Sequence, residues 1–323
     1  MRHFDILRTM NCFAILLAAA TAFNCFPPEI RTVGVVMPAS IQAKARFDEG
    51  VEALKAAGFR IKLAKRLNFK TQASAADRAA DFEEMWMDPE VDLVICARGG
   101  RGSEDILPLL DWNRLRTRDQ RVLGFSNITM ILNAMAKEKA GHPFSGPTIS
   151  QLLYAKGDTF EWLKRAIAGG PQPPAKLRAL RPGAFSGLPC GGHIALVRCG
   201  IKRDWACDAA GRVVFLERNN SASAKKIAEE LDEIAASGWL KDCAGVIFGD
   251  VTPGREGKGG KRTLSGAELA AAKEEVARAK RAFVEKIGKP AYDGFAYGHI
   301  PVSHAIDFRR KVSVAEDGTM TWE

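Results

Sequence analysis

The chain reads as an α/β protein, an amino-terminal doubly wound parallel-sheet domain followed by a smaller carboxy-terminal α/β domain. Three observations carry this. Short, nearly continuous apolar runs at residues 33–37, 91–97 and 244–248 have the character of strands buried on both faces. Stretches with apolar residues at helical spacing alternate with them, which is the βαβα pattern of a parallel sheet covered by helices. A proline- and glycine-rich stretch without periodicity, GGPQPPAKLRALRPG at 169–183, reads as a linker between domains at 30–168 and 184–323.

The elements follow in order. Val33 opens a strand closed by Pro38, and residues 43–57 form a helix with Phe47, Val51 and Leu54 on one face and Gly58 as its stop. A second strand is expected at 60–64, then a helix capped by Ser74 and running to Met87 with Phe82 and Trp86 facing in. The strand at 91–97 ends in RGGRG (98–102), and a helix is expected at 104–110. In the second half, residues 188–197 carry Gly191-Gly192, a turn or a close backbone approach, and strands are expected at 213–217 and 244–248. A helix with Ile227, Leu231 and Ile234 in register separates those two strands. Ser265 and Glu268 form a capping box for a helix carrying Leu269, Ala272, Val276, Phe283 and Ile287 inward, and Asp317-Gly318 marks a terminal hairpin turn.

Composition narrows the class of partner. The 323 residues are 46% hydrophobic and 26% charged, as in ordinary globular proteins, and no apolar run reaches the 18 or so residues of a membrane span. Residues 1–22 read as a signal peptide, with Arg2 and Arg8 before an uncharged apolar run and Ala20-Thr21-Ala22 as the cleavage signature. That places the mature protein in the periplasm or outside the cell, the alternative being a cytoplasmic protein with a mis-assigned start. The formal charge of +9 favours acidic partners, but lysine and arginine are scattered among glutamates with no aromatic-interleaved stripe, which argues against nucleic acid and for a small anionic substrate or plain solubility. Seven cysteines include no CxxC pair, which argues against zinc; Cys190, Cys199 and Cys207 lie close enough in sequence for an oxidising compartment to pair two of them. The glycine- and lysine-rich stretch 252–266 lacks the lysine and hydroxyl positions of a phosphate-binding loop and reads as a surface loop.

One stretch stands out for chemistry. In RVLGFSNITMILNAM (121–135) an apolar run reaches Gly124, and Ile128, Met130, Ile131 and Met135 then resume at helical spacing. This is strand, sharp turn, helix, with Ser126 projecting at the turn beside the first helical N–H groups. Gly124 matches the glycine two before a nucleophile; Ile128 does not match the glycine two after. A serine there also serves as an ordinary helix cap. RGGRG, at a strand end, offers accessible backbone N–H groups for an oxyanion. Glu217 closes the strand at 213–217 and His299 follows Gly298 at another strand end, where a base can reach across a cleft. His142 falls in a loop and His193 in an apolar strand run suited to a core histidine. By residue type and spacing, Ser126, Glu217 and His299 remain one triad among several that could be drawn.

Six segments in unbroken order add to this: DRAADFEEMWMDPEVDLVICARGGRG (77–102), GFSNIT (124–129), FSGPTI (144–149), VVFLE (213–217), GVIFGD (245–250) and YGHIPVSHAI (297–306). Together they resemble the successive motifs of the serine L,D-carboxypeptidases, the S66 peptidases, which include muramoyl-tetrapeptide carboxypeptidases and microcin C self-immunity peptidases. The resemblance implies an interdomain active site, a homodimer, no metal or other cofactor, and Ser126 as nucleophile, His299 as base and Glu217 as the acid that orients it. Backbone N–H groups of Gly100 and Asn127 are the implied oxyanion donors. The implied substrate is a murein tetrapeptide losing its terminal D-alanine. A microcin C-like peptidyl-nucleotide hydrolase and a non-catalytic wall-peptide binding protein are the alternatives. Three positions depart from the family: Asn127 replaces a usual aspartate, Arg101 a common tyrosine, and Arg218 a usual acidic residue. Arg98, Arg101 and Arg218 are therefore expected to contact substrate, the last two drawing the pocket toward more acidic peptides.

Overall fold

The computed structural model describes residues 27–255 and 264–323. The expected signal peptide and the centre of the 252–266 loop lie outside those residues.

The first sheet is built from β1 (Thr32–Val36), β2 (Arg60–Leu63), β3 (Leu93–Cys96), β4 (Arg121–Gly124) and β5 (His142–Ser145), all parallel in the order β2-β1-β3-β4-β5. Its crossover helices are α1 (Lys44–Ala56), α2 (Ala75–Met87), the single turn α3 (Trp112–Leu115) and α4 (Thr129–Glu138). Every residue of β1 and β3 is buried, as two-sided strands require. Ser74 caps α2 as expected, its Oγ accepting from Asp77 N at 3.0 Å. The helix expected at 104–110 is instead two short 3₁₀ turns, Ser103–Asp105 and Leu107–Leu109. Pro108 sits inside it and has no N–H to continue an α-helix.

After α5 (Ile149–Leu152) and α6 (Thr159–Ile167) the chain enters the expected linker, which is partly strand: β6 (Ala175–Lys176) and β7 (Arg178–Arg181) each join a different sheet. The second sheet runs β7-β12-β11-β10-β9, with β9 (Pro189–His193), β10 (Val213–Arg218), β11 (Gly245–Val251) and β12 (Ala291–Asp293) parallel and β7 antiparallel at the edge. The helices α7 (Ile194–Lys202), α8 (Ala224–Ala236) and α9 (Gly266–Ile287) complete these crossovers. A third, antiparallel sheet, β6-β15-β14-β8, combines β8 (Phe185–Gly187) with the terminal hairpin β14 (Val312–Val314) and β15 (Thr319–Trp322), whose turn holds Gly318 as expected.

Two features tie the halves together. The short strand β13 (Ile306–Asp307) crosses back to pair antiparallel with β5, so the late part of the chain closes the edge of the first sheet. The two-residue alternation of β10 also divides its side chains: Val214 and Leu216 pack in the cluster under α7 and α8, whereas Val213 and Phe215 pack in the cluster continuous with the first sheet. Glu217 continues the second set and Arg218 the first.

Candidate active site

Gly124 ends β4 and Phe125 is extended (φ −151°, ψ 167°), after which Ser126 takes a left-handed backbone, φ 62°, before the 3₁₀ turn Ser126–Ile128 leads into α4. For a residue with a Cβ this conformation costs about 1–2 kcal/mol, and such strain persists only where the surroundings hold it. Here the surroundings are backbone. A Cβ on Gly99 would lie 2.7 Å from Ser126 Cβ, 3.0 Å from Phe125 O and 3.1 Å from Asn127 N, so only glycine lets the β3 loop seat itself under the elbow. The missing second glycine of the elbow pattern is explained by room: Ile128 packs where a Gly124 Cβ would be, 2.4 Å from Ile128 Cγ2.

Asn127 fixes this loop. Its Oδ1 accepts from Ser103 N (2.9 Å), its carbonyl accepts from Ser103 Oγ (2.7 Å), and its Nδ2 donates to Glu104 Oε2 (3.1 Å). An aspartate would set a second carboxylate against Glu104, so the neutral amide matches its partner. Gly100 is exposed with φ 110° and lies against Ser40, whose Oγ accepts from Arg101 N at 2.9 Å. Arg98 and Arg101 are both exposed; Arg98 Nη1 donates to Ile41 O at 2.9 Å.

The second half supplies a carboxylate and an imidazole. Glu217 is fully buried at the end of β10, and its Oε2 lies 2.8 Å from His299 Nδ1. An ionised carboxylate only accepts, so His299 donates from Nδ1 and leaves Nε2 with its lone pair. The His299 ring packs 4.7 Å from that of Phe125, the residue before Ser126, and 5.7 Å from that of His193. Tyr297 backs the pair, its hydroxyl 2.8 Å from Ser145 Oγ and held protonated by burial and by the Glu217 charge. No hydrogen bond joins Ser126 to His299 among the described residues; contacts of this kind often tighten only once substrate is bound. Docking of the second sheet on α4 sets the approach. Asn133 bonds both Gly191 O (2.8 Å) and Gly191 N (3.0 Å), and a Cβ on Gly192 would strike Thr129 Oγ1 at 2.7 Å. The Gly-Gly pair is thus a close backbone approach between the halves.

Arg218 is not placed to meet substrate. It is 6% exposed, pairs with Glu230 at 2.9 Å, and also donates to Asn219 and Ser221. Strand alternation puts it on the helix-covered face, opposite Glu217, and its charge is neutralised there. His142 and His304 are structural: His142 bonds Asp307 at 2.6 Å, and His304 bonds Asp158 at 2.9 Å while stacking on Trp162. The described cysteines are free thiols, with Cys190 and Cys207 hydrogen-bonding neighbours; the Cys207 contact, then burial, push the Cys190 thiol up.

A cavity of about 280 Å³ opens beside His299, with Phe125, Gln151, Tyr154, Thr159 and Ser303 among its lining residues. Most of one wall, residues 150–159, lies outside the six motif segments. Tyr154 is 53% exposed with the Arg46 guanidinium 5.4 Å from its ring centroid, and a large aromatic after a short helix gives no sequence signal of its own.

A strained serine elbow on one α/β unit and a carboxylate-held imidazole on another are linked by the Phe125–His299 ring contact beside the cavity, an arrangement suited to hydrolysis. Comparison with known proteins places it further. Residues 33–146 match the LD-carboxypeptidase N-terminal domain and residues 186–314 the LD-carboxypeptidase C-terminal domain; the chain belongs to the LD-carboxypeptidase (S66) family of peptidase hydrolases. A probable murein peptide carboxypeptidase of Bacillus subtilis is 26% identical over 296 residues, 88% of each chain. A putative carboxypeptidase of Streptomyces coelicolor is 31% identical over 179 residues, 54% of this chain and 58% of that relative. In fold, the chain is similar to the muramoyltetrapeptide carboxypeptidase of Oxalobacter formigenes (TM-score 0.75, 18% identity, covering 90% of this chain and 97% of that one). It is equally similar to an MccF-like protein of Bacillus anthracis (TM-score 0.75, 16% identity, 90% and 96%).

Proposed function

We propose that this protein is a serine L,D-carboxypeptidase that releases the terminal D-alanine of murein tetrapeptides. The observation that carries the reading is the 2.8 Å bond from fully buried Glu217 to His299, beside an elbow that holds Ser126 at φ 62°. In this reading His299 Nε2 takes the Ser126 hydroxyl proton as Oγ attacks the scissile carbonyl, and Glu217 stabilises the imidazolium. Backbone N–H groups of Gly100 and Asn127 receive the oxyanion, an interaction worth roughly 3 kcal/mol per donor. The proton on His299 then leaves with D-alanine, and water, deprotonated by the same nitrogen, frees the tripeptide. Exposed Arg98 and Arg101 flank the glycine seated under the elbow and are cations available to an anionic stem peptide.

Exposed Tyr154 at the cavity favours a second reading, a peptidyl-nucleotide amide hydrolase, because an aromatic face is what a base stacks on. One experiment separates the two. Wild type and Ser126→Ala are each incubated with disaccharide-tetrapeptide and with an aspartyl sulfamoyl adenosine, and products are read by mass spectrometry. Loss of one alanine by wild type alone supports the carboxypeptidase; cleavage of the nucleotide conjugate alone sinks it in favour of the alternative.

A further inference from the structure

Two buried polar atoms beside His299 have no hydrogen-bond partner among the described residues: Nδ1 of His193 and Oε1 of Glu217. They belong to register-paired residues, since β9 and β10 run parallel with His193 opposite Glu217. Paired residues of parallel strands project to the same face with backbones about 4.8 Å apart, so the two groups are neighbours. Both are buried, at 4% and 0% exposure.

Arg218 Nη1 lies 3.2 Å from His193 Nε2, but its two hydrogens go to Asn219 Oδ1 and Ser221 Oγ, each at 2.7 Å, so this contact does not fix which ring nitrogen of His193 carries the hydrogen. Burial, then the Arg218 charge, then His299 hold the His193 pKa well below its usual 6.5, which keeps the ring neutral. Arg218 is itself fixed by Glu230, at 2.9 and 3.3 Å. Two buried polar atoms on register-paired residues are thus left without a partner, and a water molecule, which donates as well as accepts, is the ordinary way proteins satisfy such atoms.

We propose that His193 is a positioning residue: its Nδ1 holds, through one buried water, the second oxygen of Glu217, and so keeps the first oxygen on His299 Nδ1. The proposal rests on the acyl-transfer reading of Ser126, Glu217 and His299. With both oxygens anchored, Glu217 cannot rotate about its last bond, and the imidazole it directs stays aimed at the elbow.

The test uses the full chain and a fluorophosphonate, which reacts with an activated serine whatever the peptide substrate is. Its second-order rate of adduct formation on Ser126 is compared for wild type, His193→Ala and His193→Asn, alongside kcat and KM on tetrapeptide, and a high-resolution crystal structure of the wild type is examined for the water. His193→Ala is expected to slow adduct formation and kcat by about 10- to 100-fold with KM unchanged, the range expected when a buried charged group loses a partner. His193→Asn, whose neutral side-chain amide can both donate to and accept from the water, is expected to recover most of the rate. A folded His193→Ala protein labelled as fast as wild type overturns the role of His193 alone, as does an Asn variant as slow as the Ala variant or a wild-type crystal structure with no water between the two atoms. A wild-type protein that takes no label at Ser126 overturns the acyl-transfer reading and the role of His193 with it.

Discussion

The two halves of the molecule place their reactive groups by different physics. The first domain holds Ser126 by backbone shape: a left-handed residue pressed over Gly99, with Asn127 stitched to Ser103 and Glu104. The second holds His299 by buried charge, through Glu217 and the Arg218–Glu230 pair behind it. Sterics of this kind tolerate no added atoms, whereas buried electrostatics tolerate no lost partners. The two domains should therefore fail in opposite ways when altered.

The largest expected effect is on the nucleophile. Ser126→Ala should lower turnover by about 10⁴-fold or more without lowering the thermal midpoint. Ser126→Gly should be equally inactive yet more stable by about 1 kcal/mol in chemical denaturation, because glycine takes φ 62° without strain. On the electrostatic side, Glu217→Gln keeps the shape but can offer an N–H to His299 and stabilise the wrong tautomer, and kcat should fall by about 10³- to 10⁴-fold. Arg218→Met should leave Glu230 buried and unpaired, costing about 3–5 kcal/mol in denaturant unfolding, with much of it recovered when Glu230→Leu is added. Gly99→Ala tests the steric half: its methyl must displace the elbow, and kcat should drop by about 10- to 100-fold through misplacement alone.

The smallest effect is a pH slope. His193 is held neutral in the folded protein, its pKa well below 6.5, so below pH 6.5 the unfolded chain binds a proton that the native state does not. Its contribution is fully present above pH 6.5 and is lost as pH falls, by up to about 1.4 kcal/mol per unit. Arg218, Glu217 and His299 face the ring, so the contribution is isolated by difference: in denaturant titrations the fall from pH 6.5 to 5 should be shallower in His193→Asn than in wild type.

Much of this was legible in the chain. Buried-strand runs, capping residues and the apolar faces of α1, α2 and α9 follow from period and propensity, and the structure carries them with ends shifted by a residue or two. The Gly124–Ser126 turn and Glu217 near a strand end were readable for the same local reasons, whereas His299, expected at a strand end, lies in the irregular stretch between β12 and β13. What escaped depends on partners distant in sequence. Nothing in VVFLER announces that Arg218 meets Glu230, although the alternation that puts Glu217 on one face already puts Arg218 on the other. The apolar run around His193 suggested a satisfied core residue; only the pairing with β10 shows its unmet Nδ1. The return of β13 to the first sheet has two residues of strand to advertise it, and Pro108 was the overlooked reason that 104–110 is no helix.

The claim that joins both halves is that Ser126 Oγ attacks and holds an acyl group before water does. Tetrapeptide turnover in the presence of hydroxylamine tests it directly. An acyl-enzyme on Ser126 partitions between water and the added nucleophile, so wild type should yield tripeptide hydroxamate together with tripeptide acid, in a ratio that rises with hydroxylamine concentration, and Ser126→Ala should yield neither. Tripeptide acid formed by the Ser126→Ala variant at the wild-type rate would contradict the account.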